Sequence, residues 1–359
     1  MTTPRRVRVV VVDDSAFARK VMREVLENDS RIEVVAIARD GLDALEKIAE
    51  TKPDVVTLDL VMPQLDGVGV LDAVRMLPDP PRVVVVTMSD ADSVMGVAAL
   101  QAGAFDVVHK PTALATDRLY ELGHELVAKV LVAAEARFGA HASMDVLPAT
   151  PRVVPDRVPT GTTPRPVLRA TRTKVVVVGA STGGPRAITV LLRALPASFP
   201  VPVAVVVHMP TGYTEAFARR LDGECVLDVV EASEGLLLRP GLVMIARAGI
   251  HLKLRESRDG VCATLDVNPM DALHRPSVDA LFTSAAATFG ATTLGVVLTG
   301  MGSDGADGAR AIRAAGGRVL VEDASTCVVY GMPRAVAEQG LADAELALPD
   351  VAAGIIERL

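Results

Sequence analysis

Val175-Val-Val-Val-Gly-Ala-Ser181-Thr-Gly183-Gly184-Pro185 is the stretch on which the reading of this chain turns. Four consecutive β-branched residues predict a buried strand. Gly179 and the Gly183-Gly184 pair predict a tight turn, and Pro185 suits the first turn of a helix. Strand, turn and helix in that order display one hydroxyl at the carboxyl end of a strand. Nucleophilic serines are presented this way, and Gly179-Ala-Ser181-Thr-Gly183 fits the pattern G-x-S-x-G.

The same alternation extends to both sides. Downstream, strand candidates lie at 174–179, 203–208, 226–230, 242–246, 262–266, 293–299 and 317–321. Helix candidates lie at 184–195, 213–221, 277–289 and 305–315. This predicts a doubly wound, mostly parallel α/β domain over 174–359, with mixed short strands in its middle. Upstream, short apolar runs end near Val12, Ile37, Asp59, Thr87 and Val108, with helix-like stretches between them. Five strands recurring with one helix between each pair predict a second doubly wound, five-stranded parallel domain. Its first helix shows Phe17, Val21 and Val25 at helical spacing, with Ser15 as N-cap. A long helix from Thr116 to Phe138 closes it, so this domain is taken as 1–138. Between the two, residues 139–173 carry six spaced prolines and five arginines and no aromatic residue. They read as a semi-rigid linker whose charges keep it solvated.

Composition narrows the function. The chain has 359 residues, 50% of them hydrophobic, enough for two cores. Aromatics are 3% and the net charge is −7, which argues against base stacking and phosphate tracking, so no nucleic-acid partner is expected. Cys225, Cys262 and Cys327 are scattered, as reduced thiols in a cytoplasmic protein would be. The apolar run after Arg5, Arg6 and Arg8 ends at Asp13, too short for a signal sequence, and no stretch approaches the roughly 18 apolar residues of a membrane span. A cytoplasmic monomer without membrane insertion is expected.

In open parallel sheets, ligands bind beyond the carboxyl ends of the strands. In the first domain those ends deliver Asp13-Asp14, Asp59, Thr87 and Lys110. Three carboxylates suit Mg²⁺, which takes one or two of them together with phosphate oxygens. Asp59 could then attack a phosphoryl group, with Thr87 and Lys110 holding its oxygens. Any one aspartate would be ordinary turn chemistry; five matched groups at the correct strand ends are not. In the second domain, strand ends deliver Ser181, His208 and the loop Gly300-Met301-Gly302-Ser303-Asp304-Gly305. Serine, histidine and aspartate are the composition of an acyl-transfer triad, and the glycine-rich loops could supply oxyanion donors. The alternative, a phosphate-cradling loop at 179–184, lacks G-x-G-x-x-G and a P-loop lysine and ranks lower. His274, before Arg275-Pro276-Ser277, is a candidate wall or substrate contact.

These residues also carry resemblances. Val12-Asp13-Asp14-Ser15, Asp59-Leu-Val-Met62-Pro63 with Asp66-Gly67, Thr87 and Lys110-Pro111 resemble a response-regulator receiver over about 7–130. The resemblance implies Asp59 as phospho-acceptor, Asp14 and Asp59 as metal ligands supported by Asp13, and Thr87 and Lys110 as switch residues. Val107 stands where receivers often carry an aromatic, with Phe105 two residues earlier. Gly179-Ala-Ser181-Thr-Gly-Gly-Pro185, His208-Met-Pro210, His274-Arg-Pro-Ser-Val-Asp279, Leu298-Thr-Gly-Met301-Gly-Ser-Asp304-Gly305 and Val329-Tyr-Gly-Met332-Pro-Arg334 resemble the catalytic domain of chemotaxis protein-glutamate methylesterases over about 174–355. This implies Ser181, His208 and Asp304 as the triad and the Met301 amide as an oxyanion donor, with no cofactor in the esterase site. It further implies demethylation of glutamate γ-methyl esters and deamidation of glutamines on methyl-accepting chemoreceptors, with a chemotaxis histidine kinase as phosphodonor.

Overall fold

The structure is a computed structural model that describes residues 5–87, 93–110, 116–136 and 172–359. Pro111, Phe138 and the expected linker, apart from Arg172 and Thr173, lie outside the described residues. The N-terminal sheet comprises β1 (Val7–Val12), β2 (Ile32–Ala38), β3 (Val55–Leu58), β4 (Arg82–Thr87) and β5 (Asp106–His109). The intervening helices are α1 (Ala16–Glu27), α2 (Gly41–Thr51), α3 (Gly67–Arg75) and α4 (Ser93–Gln101), with α5 (Thr116–Glu135) following β5. All pairings are parallel, in the order β2-β1-β3-β4-β5. Along β1, side chains alternate between faces, as the pleat demands. Val9 and Val11 join Met22 of α1 and Leu126 of α5, while Val10 and Val12 join Ile48 of α2 and Val70 of α3.

Two expectations for α1 fare differently. Ser15 does cap it, its hydroxyl accepting from the Ala18 N–H. Phe17 does not face the core: it is 55% exposed, and the buried positions are Met22 and Leu26. The inward stripe runs through Ala18, Met22, Val25 and Leu26, which pack with β1 and α5, so it keeps Val25 of the expected stripe and leaves Phe17 outside.

The second sheet comprises β6 (Val175–Ala180), β7 (Val203–Val207), β8 (Asp228–Glu231), β9 (Leu242–Ile245), β12 (Thr293–Val297), β13 (Arg318–Glu322) and β14 (Ala344–Leu346). Its order is β14-β13-β12-β6-β7-β9-β8, and every pairing is parallel. Six helices cover it: α6 (Gly184–Arg193), α7 (Tyr213–Glu224), α8 (Val278–Phe289), α9 (Ala306–Ala314), α10 (Met332–Ala337) and α11 (Leu348–Ile356). The predicted strand at 262–266 is not in this sheet. It belongs to β11 (Gly260–Asp266), which pairs antiparallel with β10 (His251–Ser257) as a separate hairpin. β10, β14, α10 and α11 were not anticipated.

The two domains touch through α4, which packs on α6 and α7. Gly96 of α4 abuts the buried ring of Tyr213; a Cβ there would lie 2.2 Å from the ring, so only glycine permits the approach. Among the described residues, no helix is long and apolar enough to cross a membrane.

Candidate functional site

Each sheet has a point where its strand order reverses, the place beyond the carboxyl ends where open α/β sheets bind ligands. In the first sheet it lies between β1 and β3, where the chain delivers Asp13, Asp14 and Asp59. One carboxylate oxygen from each lies within 4.8 Å of the others. The Lys110 ammonium donates to Asp59 Oδ2 at 2.9 Å and also contacts Asp13. Thr87, wholly buried at the end of β4, pairs in register with His109 beside that lysine. Three carboxylates face one ammonium, and Asp13 Oδ2 is buried without a well-directed hydrogen bond. Excess negative charge on hard oxygen donors fits a divalent cation such as Mg²⁺. Burial pushes the Asp59 carboxyl above its ordinary range; Lys110 pulls it down by less, and Asp13 adds to the upward push. Asp66 caps α3, its side chain accepting from the Gly69 N–H at 2.8 Å, so its role in the pattern is local.

In the second sheet the reversal lies between β6 and β12. Ser181 leaves β6, and its N–H donates to the Thr299 carbonyl at 3.0 Å. Gly183 then adopts φ +78°, a left-handed conformation that glycine tolerates, and starts α6. Gly300, in the loop after β12, passes so close that a Cβ would lie 2.8 Å from Ser181 Cβ. The neighbouring Met301 N–H has no hydrogen-bond partner among the described residues. His208 follows β7, with its N–H on the Ala180 carbonyl at 3.1 Å. Its Nε2 lies 2.9 Å from Asp304 Oδ2, whereas its Nδ1 is buried and unpartnered among the described residues. Ser181, His208, Asp304 and Met301 are thus carried by adjacent strand ends. A hydrogen bond between Ser181 and His208 does not occur among the described residues.

Asp304 is held more firmly than a turn residue would be. Oδ1 accepts from the Ser277 hydroxyl (3.0 Å) and the Asp279 N–H (2.9 Å), and Oδ2 from the Val278 N–H (2.8 Å) as well as His208. These are the first free N–H groups of α8, the positive end of its dipole. Asp279 returns the arrangement: its Oδ1 accepts from Gly305 N (2.9 Å) and Gly308 N (2.6 Å), at the start of α9. Burial alone would raise Asp304, but His208 and the helix N–H groups hold its carboxyl well below the usual range. Asp279 is pushed up to about 6 by burial and by the neighbouring charge of Asp304. His274 stacks on His208 with ring centroids 4.1 Å apart, which fits its expected place in the wall. Burial, then the His208 ring, push it down to about 4.

Sequence reading missed several supporting groups. Glu322, wholly buried at the end of β13, accepts from the Thr299 N–H at 2.8 Å. The Thr299 hydroxyl donates to the Thr182 carbonyl at 3.0 Å, so one carboxylate braces both the serine turn and the glycine loop. Extending the strand-end rule to β13 would have found it. Asp279 stood in a quoted motif without a role. The Thr182 hydroxyl donates to Asp106 Oδ2 of β5 at 2.6 Å, and Asp106 is bound in turn by Lys129 of α5 at 3.0 Å. No local signal pairs residues 76 apart in different domains. His251 is structural: its ring bridges the Pro269 carbonyl and the Ser277 N–H, each at 3.1 Å.

Comparison with known proteins agrees with this architecture. The family model described as CheB methylesterase matches residues 176–355, and that described as response regulator receiver domain matches 9–121. A Myxococcus xanthus protein named protein-glutamate methylesterase/protein-glutamine glutaminase 5 is 58% identical, covering 95% of each chain. A Thermotoga maritima protein named protein-glutamate methylesterase/protein-glutamine glutaminase is 39% identical, again over 95% of each. The crystal structure of the Thermotoga maritima CheB methylesterase catalytic domain matches with 42% identity and a TM-score of 0.51, covering 53% of this chain and all of that one. Sheet order, strand-end residues and full-length similarity agree: the chain belongs to the CheB methylesterase family, with a response-regulator receiver domain preceding the catalytic domain.

Proposed function

We propose that this chain is a phosphorylation-activated cytoplasmic hydrolase that removes methyl groups from glutamate γ-methyl esters, and ammonia from particular glutamines, on methyl-accepting chemoreceptors. The observation that carries this reading is the His208–Asp304 pair beside Ser181, with His208 Nδ1 left unbonded. If Nε2 carries the proton given to Asp304, Nδ1 is a lone pair available to the serine hydroxyl. Ser181 Oγ attacks the γ-carbonyl carbon as Nδ1 takes its proton. The Met301 N–H, being free, suits the oxyanion, a donor contributing about 3–4 kcal/mol to barrier lowering. The tetrahedral intermediate collapses as the imidazolium gives its proton to the leaving methoxy oxygen or amide nitrogen, so that the C–O or C–N bond breaks, methanol or ammonia departs and an acyl-serine remains. Water, deprotonated by the same imidazole, releases the glutamate carboxylate and restores Ser181. Asp304, kept ionised by α8, stabilises the imidazolium at each stage. Methanol release from a methylated receptor fragment tests this. Ser181→Ala is expected to abolish it, and retained release would sink the assignment.

For the receiver, Asp59 is the proposed phospho-acceptor, with Asp13, Asp14 and Asp59 holding Mg²⁺ and a histidine kinase as phosphodonor. The bound metal would neutralise phosphoryl charge during transfer. Thr87 and Lys110 would then bind the phosphoryl oxygens, drawing Lys110 from Asp59. Lys110 directly follows β5, and β5 begins at Asp106, the partner of Thr182 beside the nucleophile. A phosphoryl charge of roughly −1.5 to −2 at one end of a four-residue strand supports loosening of the contact at the other. Phosphodonor is expected to stimulate the wild type and not Asp59→Asn; equal stimulation of both would remove the switch.

A further inference from the structure

The loop from β11 to α8 carries an unusual concentration of exposed apolar side chains. Val267, Met270 and Leu273 are 46%, 68% and 90% exposed, one at every third position. Single exposed apolar residues are ordinary; three on one short loop beside a catalytic crevice are not. Leu273 immediately precedes His274, whose ring is stacked on His208, so its Cα stands about 3.8 Å from that of a residue in the site wall. The loop is braced. Asp266 accepts from the Asn268 N–H at 2.9 Å, His251 donates to the Pro269 carbonyl, and Arg275 donates to the Met270 carbonyl at 3.4 Å.

We propose that Met270 and Leu273 form a rim that receives apolar side chains of the substrate protein next to the scissile glutamyl group, and so favour a protein over a small ester. This rests on the hydrolase reading above. A glutamyl side chain is short, so the backbone bearing it must cross the mouth of the site, and its neighbours must meet the residues there. The loop remains exposed while Asp106 holds Thr182, so this rim is not the surface covered by the receiver domain. Because the loop is already braced, little ordering is required when a partner covers it.

The test compares wild type with Met270→Asp/Leu273→Asp on two substrates, a methylated chemoreceptor fragment and N-acetyl-glutamate γ-methyl ester. The expected result is a KM for the fragment raised about tenfold or more, with kcat and small-ester kcat/KM unchanged within about twofold. Leu273→Met should retain the wild-type KM. An unchanged fragment KM, or equal loss on both substrates, would overturn the rim assignment. Equilibrium binding of the fragment to the same variants in a Ser181→Ala background separates the two readings. If the wild type hydrolyses neither ester but the binding difference persists, the hydrolase reading fails and the rim stands.

Discussion

The first sheet reverses its strand order between β1 and β3, and the second between β6 and β12, yet the two crevices are furnished oppositely. The first gathers three carboxylates around one ammonium and leaves negative charge uncompensated. In the second, each carboxylate is held by donors, Asp304 by two N–H groups, a hydroxyl and an imidazole, and Asp279 by two N–H groups. A crevice with charge left over suits a cation and a transferred phosphoryl group. A crevice with its charge satisfied and one ring nitrogen free suits proton movement. The same backbone position thus supports either chemistry, and side chains at strand ends decide which.

The sharpest way to break this comparison is a double dissociation. Ser181→Ala should lower methyl-ester turnover by about 10⁴-fold or more while leaving phosphoryl incorporation at Asp59 intact. Asp59→Asn should do the reverse, sparing basal turnover; loss of both functions in either variant would contradict two independent crevices. Next in size, Asp304→Asn should reduce kcat by roughly 10³–10⁴-fold, because an amide cannot stabilise the imidazolium. A loss under about tenfold would mean that α8 alone orients His208. Smaller again, Thr182→Val and Asp106→Asn should each raise turnover without phosphodonor by about three- to tenfold, through loss of a charge-assisted hydrogen bond. Unchanged basal rates would show that this bond does not restrain the site.

The smallest effect concerns Asp279. Burial pushes its folded carboxyl up to about 6 from the ordinary 3.8, so between those values the folded state holds more protons than the unfolded. Stability from this group is therefore present below 3.8 and is lost as pH rises through 6. Asp279→Asn should accordingly gain on wild type, in thermal midpoint, as pH rises through that window. A pH-independent difference would refute the linkage.

Much of this was legible in the sequence. Valine runs such as 175–178 announce buried parallel strands, and the residue after each run marks the crevice. The hairpin of β10 and β11 escaped because Lys253, Arg255 and Glu256 interrupt any apolar run in β10. Phe17 misled because an aromatic at helical spacing suggests the core, whereas the inward face keeps Val25 and runs through Ala18, Met22 and Leu26. Ser181, His208 and Asp304 could be named from strand ends, but which His208 nitrogen meets Asp304 is a matter of ring orientation, which spacing does not encode. Glu322 and the Asp106–Thr182 bond depend on contacts between distant segments, for which a linear pattern carries no signal.

The exchange of aspartates between α8 and α9 has a consequence for assembly. Neither helix start is complete until the other has docked, since Asp304 closes one and Asp279 the other. The amides of Val278, Asp279, Gly305 and Gly308 should therefore resist hydrogen exchange as one cooperative unit. Catalytic competence would then arrive late in folding, in a single step, because the carboxylate that orients His208 acquires its partners only when both helices are in place.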